Sequence, residues 1–207
     1  MFQLFKQMLK SSINNNKAFL TYAIKLLLLY FILDYGTTFF IGITSKGGKY
    51  YVGWLDEHLN YVRWLRYTIL YGTKTIMSAI GYETNIVTEF VIRIKNGHGV
   101  QLVYSCLGYG VLSFWIAFVV ANTGTKLFKA KWLALGCSII LLSNMLRIVV
   151  LLIANQKKWV KPFSLDHHTF YNIIAYILVC ILILFFVKAV RKNQKIDYFT
   201  QLNTSLQ

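Results

Sequence analysis

Four residues of this sequence have side chains that could act together in one catalytic site: Cys106, Arg147, His167 and His168. Cys106 lies in the stretch QLVYSCLGYGVLSFW, where a polar segment runs into an apolar one. A thiol becomes a strong nucleophile once it loses its proton, and a neighbouring imidazole can take that proton. A guanidinium keeps its charge when buried, so it can stabilise the oxyanion of an acyl-transfer step. These side chains therefore suit acyl transfer at a cysteine.

Each of these residues also has a purely structural interpretation. Cys106 at a helix start is often a small packing residue. Arg147 lies within an apolar run, where an arginine is usually functional or paired. In the structural interpretation it forms an ion pair with Asp34 of the first apolar run. Asn144, one helical turn before Arg147, can hold the arginine side chain by hydrogen bonding. The two histidines can be interfacial polar residues behind Asp166 as a helix cap.

The composition points to a membrane protein and away from a soluble one. The chain has 207 residues, of which 57% are hydrophobic and only 14% are charged. Its apolar residues cluster into runs close to the length that crosses a bilayer. The net charge of +15 comes from basic residues that flank these runs and form no single patch, so we predict lipid contact and no nucleic-acid partner. The three cysteines have no metal-ligand spacing and no disulfide pattern, so we expect neither a zinc site nor a disulfide framework.

The predicted fold is an all-α membrane helix bundle of about four transmembrane helices, with an external amphipathic helix and a short β-hairpin. The spans are predicted at 18–43, about 106–122, 132–154 and 169–190. Residues 60–81 carry three basic residues, and their apolar members Trp64, Leu65, Ile69, Ile76 and Ile80 lie largely on one side, as in a helix on the membrane or on other helices. Residues 88–105 alternate in polarity around Asn96-Gly97-His98-Gly99, which is typical of a hairpin turn.

The basic residues also predict how the chain lies in the membrane. The link after the second span and the C-terminal tail are both rich in Lys and Arg, which favours a cytoplasmic location for each. Residues 1–17 are then a cytoplasmic segment with no fold of their own, 18–190 one membrane-embedded domain, and 191–207 a basic cytoplasmic tail. In this topology Cys106, Arg147 and the histidines share one depth near the outer surface.

Three motifs in this order resemble the exosortase/archaeosortase family of membrane cysteine transpeptidases. The motifs are Cys106-Leu107-Gly108, then Asn144-Met145-Leu146-Arg147, then His167-His168, and the resemblance covers about residues 60–190. The family usually has Ser-Gly after its cysteine, so Leu107 is a departure from its pattern. The chain is also shorter than the larger members, like a compact subfamily.

The resemblance implies an activity, a substrate and a location. Cys106 would be the nucleophile, His168 (or alternatively His167) the base and acid, and Arg147 the stabiliser of the oxyanion or thiolate, with Asn144 in support. The substrates would be membrane-anchored proteins that end in a short motif, a transmembrane helix and a basic cluster. The enzyme would lie in the cytoplasmic membrane with its site on the external side, and no metal or organic cofactor is implied. Two alternatives stay open: a non-catalytic transporter subunit or assembly scaffold, and a membrane acyltransferase with a histidine base.

Overall fold

Helices make up most of the chain in the computed structural model. The structure describes the backbone of residues 2–157 and 167–205, and the side chains of residue 17 and of residues 19–157 and 171–192. The described elements are, in order, α1 Phe2–Thr44, α2 Gly53–His58, α3 Tyr61–Ala79, β1 Thr84–Thr88, β2 Val91–Ile94, β3 Gly99–Gln101, a 3₁₀ turn Tyr104–Leu107, α4 Tyr109–Ala121, α5 Lys126–Gln156 and α6 His167–Ser205. We call the 3₁₀ turn, residues 104–107, the cysteine turn.

Three stretches of the described helices are long and apolar enough to cross a membrane. They are Phe19–Thr44, Lys126–Gln156 and Tyr171–Lys192. The predicted helical membrane bundle is confirmed, and these stretches correspond to three of the four predicted spans. The fourth, about 106–122, is helical over only the 13 residues of α4. At 1.5 Å per residue α4 is about 20 Å long, shorter than the bilayer's apolar core of about 30 Å.

The start of α4 is delayed by the backbone before it. The cysteine turn is a 3₁₀ helix, and Gly108 after it has a left-handed φ of 70°. An α-helix cannot run through a left-handed residue, so α4 begins only at Tyr109. The other end is closed by Asn122, whose side-chain Nδ2 donates to the carbonyl of Phe118 over 2.8 Å.

The N-terminal end differs from the sequence prediction, and both chain ends continue the helices beside them. Residues 1–17 were expected to have no fold of their own, but α1 runs without a break from Phe2 to Thr44. The tail after residue 190 likewise continues α6 as far as Ser205. Neither segment contains a glycine or proline that would interrupt the helix beside it. Both helices therefore continue past the apolar ends of their spans.

The predicted amphipathic helix is α3, with a different inner face from the one expected. Ile69 is buried, and Leu65 and Ile76 pack against the core. Trp64, with 57% of its surface exposed, and Ile80 lie on the outer side. The inner face is instead completed by the buried residues Val62, Arg66, Leu70, Thr73 and Met77.

The predicted hairpin is part of a three-stranded antiparallel sheet of order β1-β2-β3. β2 and β3 are its two arms, and Asn96 in the connecting turn has the positive φ (58°) that such turns require. β1 was not predicted. It pairs with β2 through the register Thr84 to Ile94. The backbone N–H of His98 donates to Gln156 Oε1 over 3.1 Å, which ties the hairpin turn to the end of α5.

Two hydrophobic clusters hold these elements together. The first joins α3, the sheet and the far half of α5, and it includes Leu107 of the cysteine turn. The second joins α4, α5 and α6 around the fully buried rings of Trp115 and Phe186. The cysteine turn therefore leads from the first cluster into the helix that forms part of the second.

Candidate active site

Cys106 lies in the cysteine turn with only 4% of its surface exposed. Its backbone N–H donates to the carbonyl of Val103 over 2.8 Å, which closes the turn. Leu107 on one side is buried in the first hydrophobic cluster, and Gly108 on the other begins α4 as its N-cap residue. The thiol is thus carried by a short turn that is anchored at both ends.

Asn144 fixes the backbone of the cysteine from the opposite side. It lies on the buried face of α5, and its side-chain Nδ2 donates to the carbonyl oxygen of Cys106 over 2.9 Å. The sequence predicted that Asn144 would hold Arg147, and the described hydrogen bonds include none between these two side chains. The helical spacing placed Asn144 on the correct face, but it could not indicate which residue across the bundle the amide reaches.

Arg147 brings its guanidinium to the thiol. It is buried on α5 one turn after Asn144, and its Nη2 lies 3.8 Å from the Sγ of Cys106. On the other side its Cζ lies 5.4 Å from the ring centroid of Tyr171 in α6, a cation–π distance. The sequence predicted that Arg147 and Cys106 meet, and the structure brings them into contact across 41 residues of chain. Tyr171 was not predicted as a neighbour, although its place four residues after His167 puts it on the same helical face.

Packing, rather than polar contacts, explains why residues 107 and 108 are leucine and glycine. Leu107, where the resembling family usually has serine, has 1% of its surface exposed and packs in the first cluster. A Cβ on Gly108 would lie 3.2 Å from Asn144 Nδ2, closer than an ordinary contact. Glycine therefore permits both the left-handed backbone and the approach of the amide to Cys106.

A cavity of about 750 Å³ adjoins this cluster. Its wall includes Asn144 and Arg147. It also includes Ser105 and Gly108, which lie one residue before and two residues after Cys106. The remaining wall is mostly apolar and comes from α1, α4, α5 and α6. The wall residues of α1, α5 and α6 belong to the stretches that can cross a membrane, so the cavity is bounded by these spans.

Asp34 also lies in the cavity wall, half-buried on α1. Its Oδ1 would be 3.3 Å from a Cβ on Gly110, so the carboxylate lies against the first turn of α4. The alternative prediction paired Asp34 with Arg147, and the ion pairs of the described residues do not include that pair. A carboxylate beside a helix N-terminus is stabilised by the helix dipole, which accounts for its place here.

His167 and His168 begin α6, but their side chains lie outside the described residues. The prediction that one of them completes the site therefore stays a prediction. Within the described part of the chain, no group of three or more His, Cys, Asp or Glu side chains is arranged to hold a metal ion.

The geometry described so far joins a buried thiol, a guanidinium and an amide beside a cavity at the level of the bilayer. Comparisons of the chain with curated proteins and with solved structures found no match. The sequence model of the transmembrane exosortase family (Exosortase_EpsH) matches residues 50–186, more than half of the chain. That range contains the cysteine turn, Asn144, Arg147 and both histidines, and three spans support a multi-pass membrane protein. The chain therefore belongs to the transmembrane exosortase family.

Proposed function

We propose that this exosortase is a cysteine transpeptidase or protease that cuts membrane-anchored proteins near a C-terminal transmembrane helix. The observation that carries the proposal is the contact of 3.8 Å between Arg147 Nη2 and Cys106 Sγ. A buried arginine in a membrane bundle is costly. The Arg147 guanidinium lies against the sulfur of an almost fully buried cysteine, where it can stabilise a negative charge. The cavity beside the pair supplies the space for a substrate.

The proposed reaction begins when the Cys106 thiol gives its proton to a histidine, with His168 favoured over His167. The thiolate attacks the carbonyl carbon of the scissile peptide bond and forms a tetrahedral oxyanion. Arg147 stabilises the negative charge, first on sulfur and then on oxygen, in a site that excludes most water. Asn144 supports the step by fixing the carbonyl of Cys106, which holds the thiol beside Arg147.

The intermediate then collapses and the C–N bond breaks. The histidine returns its proton to the leaving amine, and the substrate remains as a thioester on Cys106. An acceptor nucleophile, or water, attacks this thioester, and the thiolate leaves. The proposed chemistry requires no metal or organic cofactor and no nucleic acid.

The proposed substrates end in a short motif, a transmembrane helix and a basic cluster. The mostly apolar cavity wall, formed in part by the spans α1, α5 and α6, supports this class, because a substrate helix that already lies in the bilayer would meet an apolar surface there. The proposed location is the cytoplasmic membrane, with Cys106 near its external surface.

The test compares the membrane proteins of cells that carry the wild-type chain with those that carry Cys106→Ala or Cys106→Ser. We expect proteins with a C-terminal transmembrane helix and basic tail to keep that tail in both variants, as measured by mass spectrometry of C-terminal peptides. Cys137→Ala is the matched control, because Cys137 lies on the same helix as Arg147 but packs in the second cluster. Normal tail removal by Cys106→Ala, with the protein present in the membrane, would refute the proposal.

A further inference from the structure

Arg66 is a buried cation outside the cavity. It lies on the inner face of α3, and its side chain is 4% exposed. Its acidic neighbour is Glu89, whose Oε2 is 3.9 Å from Arg66 Nη2 and whose side chain is 40% exposed. That distance is too long for a hydrogen bond. The Nε and Nη1 atoms of Arg66 are buried with no hydrogen-bond partner among the described residues.

Hydrogen bonds therefore do not compensate for the burial of this charge, and the long ion pair with the partly exposed Glu89 compensates only in part. A buried charge that is only partly paired is costly, so another contact must help to stabilise it. That contact is aromatic. The Cζ of Arg66 lies 3.8 Å from the ring centroid of Phe90 and 5.7 Å from that of Tyr104. The two rings also meet edge to face at 5.9 Å.

Tyr104 connects this cluster to the candidate site. It is the first residue of the cysteine turn, two positions before Cys106. Its hydroxyl lies 3.3 Å from Ser45 Oγ beyond the end of α1, which fixes the far end of the ring. Phe90 is tied to the same region, because its carbonyl accepts from the N–H of Leu102 over 2.7 Å. Arg66 thus joins α3 and the sheet to the residue that begins the turn.

We propose that Arg66 is a positioning residue for Cys106. It acts through Tyr104, while Asn144 holds the turn from the opposite side through the Cys106 carbonyl. Neither Arg66 nor Tyr104 lies in the cavity wall. Loss of the arginine should therefore loosen the turn and misplace the thiol relative to Arg147, and should leave substrate binding unchanged. This role in catalysis rests on the proposed function, whereas the hold on the turn does not.

The first test measures backbone hydrogen exchange of the purified full-length protein in lipid nanodiscs. We expect Arg66→Met and Tyr104→Leu each to speed exchange in residues 103–108 by about 10-fold, since each removes the contact between the arginine and the ring of Tyr104, through which the arginine acts on the turn. The double variant should be no faster than either single variant, because both remove the same interaction. Tyr104→Phe keeps the ring beside Arg66 and loses only the hydroxyl contact with Ser45, so it should change exchange less than Tyr104→Leu. Lys74→Met removes an exposed cation from the same helix and should match the wild type. Unchanged exchange in Arg66→Met, or additive effects in the double variant, would overturn the proposal.

The second test uses a substrate identified by its retained tail in the Cys106→Ala cells. We expect Arg66→Met and Tyr104→Leu to lower kcat by about 10-fold, the factor that corresponds to 1.4 kcal/mol of transition-state stabilisation. The half-saturating substrate concentration should stay the same. A rise in that concentration with unchanged kcat would show a binding role and refute positioning. If Cys106→Ala itself retains activity, the proposed function fails, and the exchange experiment still decides whether Arg66 holds the turn. If Arg66→Met does not insert, Tyr104→Leu carries both measurements.

Discussion

Within the site, the backbone of Cys106 makes a closer contact than its thiol does. The amide of Asn144 hydrogen-bonds to the Cys106 carbonyl at 2.9 Å, whereas the guanidinium of Arg147 lies 3.8 Å from the sulfur. Sulfur is a weak acceptor, so the longer contact is mainly electrostatic. The position of the nucleophile therefore depends on residues that do not react, and Gly108 is one of them.

We predict that Gly108→Ala will disturb the site beyond its cost in backbone strain. A left-handed backbone at alanine costs about 1–2 kcal/mol, and the new Cβ would also press on Asn144 Nδ2 at 3.2 Å. Gly81→Ala is the matched control, because Gly81 has a φ of 86° and open space around its Cβ position. Thermal unfolding should show a similar loss of stability in both, while only Gly108→Ala loses tail removal. Equal activity of the two variants would contradict the role given to Asn144.

The helices and strands differ in how far the sequence could predict them. Long apolar runs predicted α1, α5 and α6, because the length of an apolar run can be read from the sequence and compared with the thickness of a bilayer. Trp64 and Ile80 were assigned to the wrong side of α3, because the inner face was set by the sheet and α5 and includes a buried arginine. β1 was missed because its hydrogen-bonding partners lie on β2, and a strand this short has little sequence pattern of its own. The Asn144 contact joins residues 38 apart, which local spacing cannot reveal.

The packing of α4 on α5 depends on one glycine. A Cβ on Gly136 would overlap the indole of Trp115, a fully buried ring whose Nε1–H donates to the carbonyl of Trp132. We predict that Gly136→Ala lowers the free energy of unfolding by about 1–3 kcal/mol, the usual cost of overpacking. Gly72→Ala should cost less, since its Cβ would meet the flexible end of Met145. Thermal unfolding in detergent measures both, with Gly42→Ala, which meets nothing within 4 Å, as the control.

The junction of α2 and α3 predicts a dependence of stability on pH. Burial alone would raise the pKa of Asp56, but hydrogen bonds from Asn60 and Tyr51 and the charge of Arg63 outweigh it, so the pKa lies below its usual range. A lowered carboxyl pKa means that the folded state favours the charged form. The stabilisation is present above the pKa of the unfolded chain, about 3.9, and is lost as pH falls through the lower folded value.

We therefore expect the melting temperature of the wild type to exceed that of Asp56→Asn at pH 6 and the gap to close as pH falls below about 4. Glu83→Gln is a useful comparison, because Glu83 has a lowered pKa from Lys95 but both side chains are exposed, so its effect should be small. A gap that stays constant from pH 6 to pH 3 would show that Asp56 contributes by packing rather than by charge.

For the chain as a whole, the short helix α4 decides the topology. The predicted arrangement has the hairpin outside and both the 123–131 link and the C-terminus inside, which requires α4 and the cysteine turn together to cross the bilayer. We expect a periplasmic reporter fused after His98 to be active, and cytoplasmic reporters fused after Gly124 and after Gln207 to be active. If the fusions at His98 and Gly124 report the same side, α4 does not cross, and the active-site depth assigned to Cys106 is wrong.

The close packing of α1 on α4 has a consequence for biosynthesis. About 65 residues separate the end of α1 from the start of α4, and they form α2, α3 and the sheet. At a synthesis rate of about 5–20 residues per second, α1 enters the bilayer roughly 3–13 s before its main partner exists. During that interval Asp34 lacks the first turn of α4 that it meets in the finished bundle. A carboxylate within a lone apolar span is costly, so we expect α1 to gain stability in the bilayer when the helix that follows the cysteine packs against it.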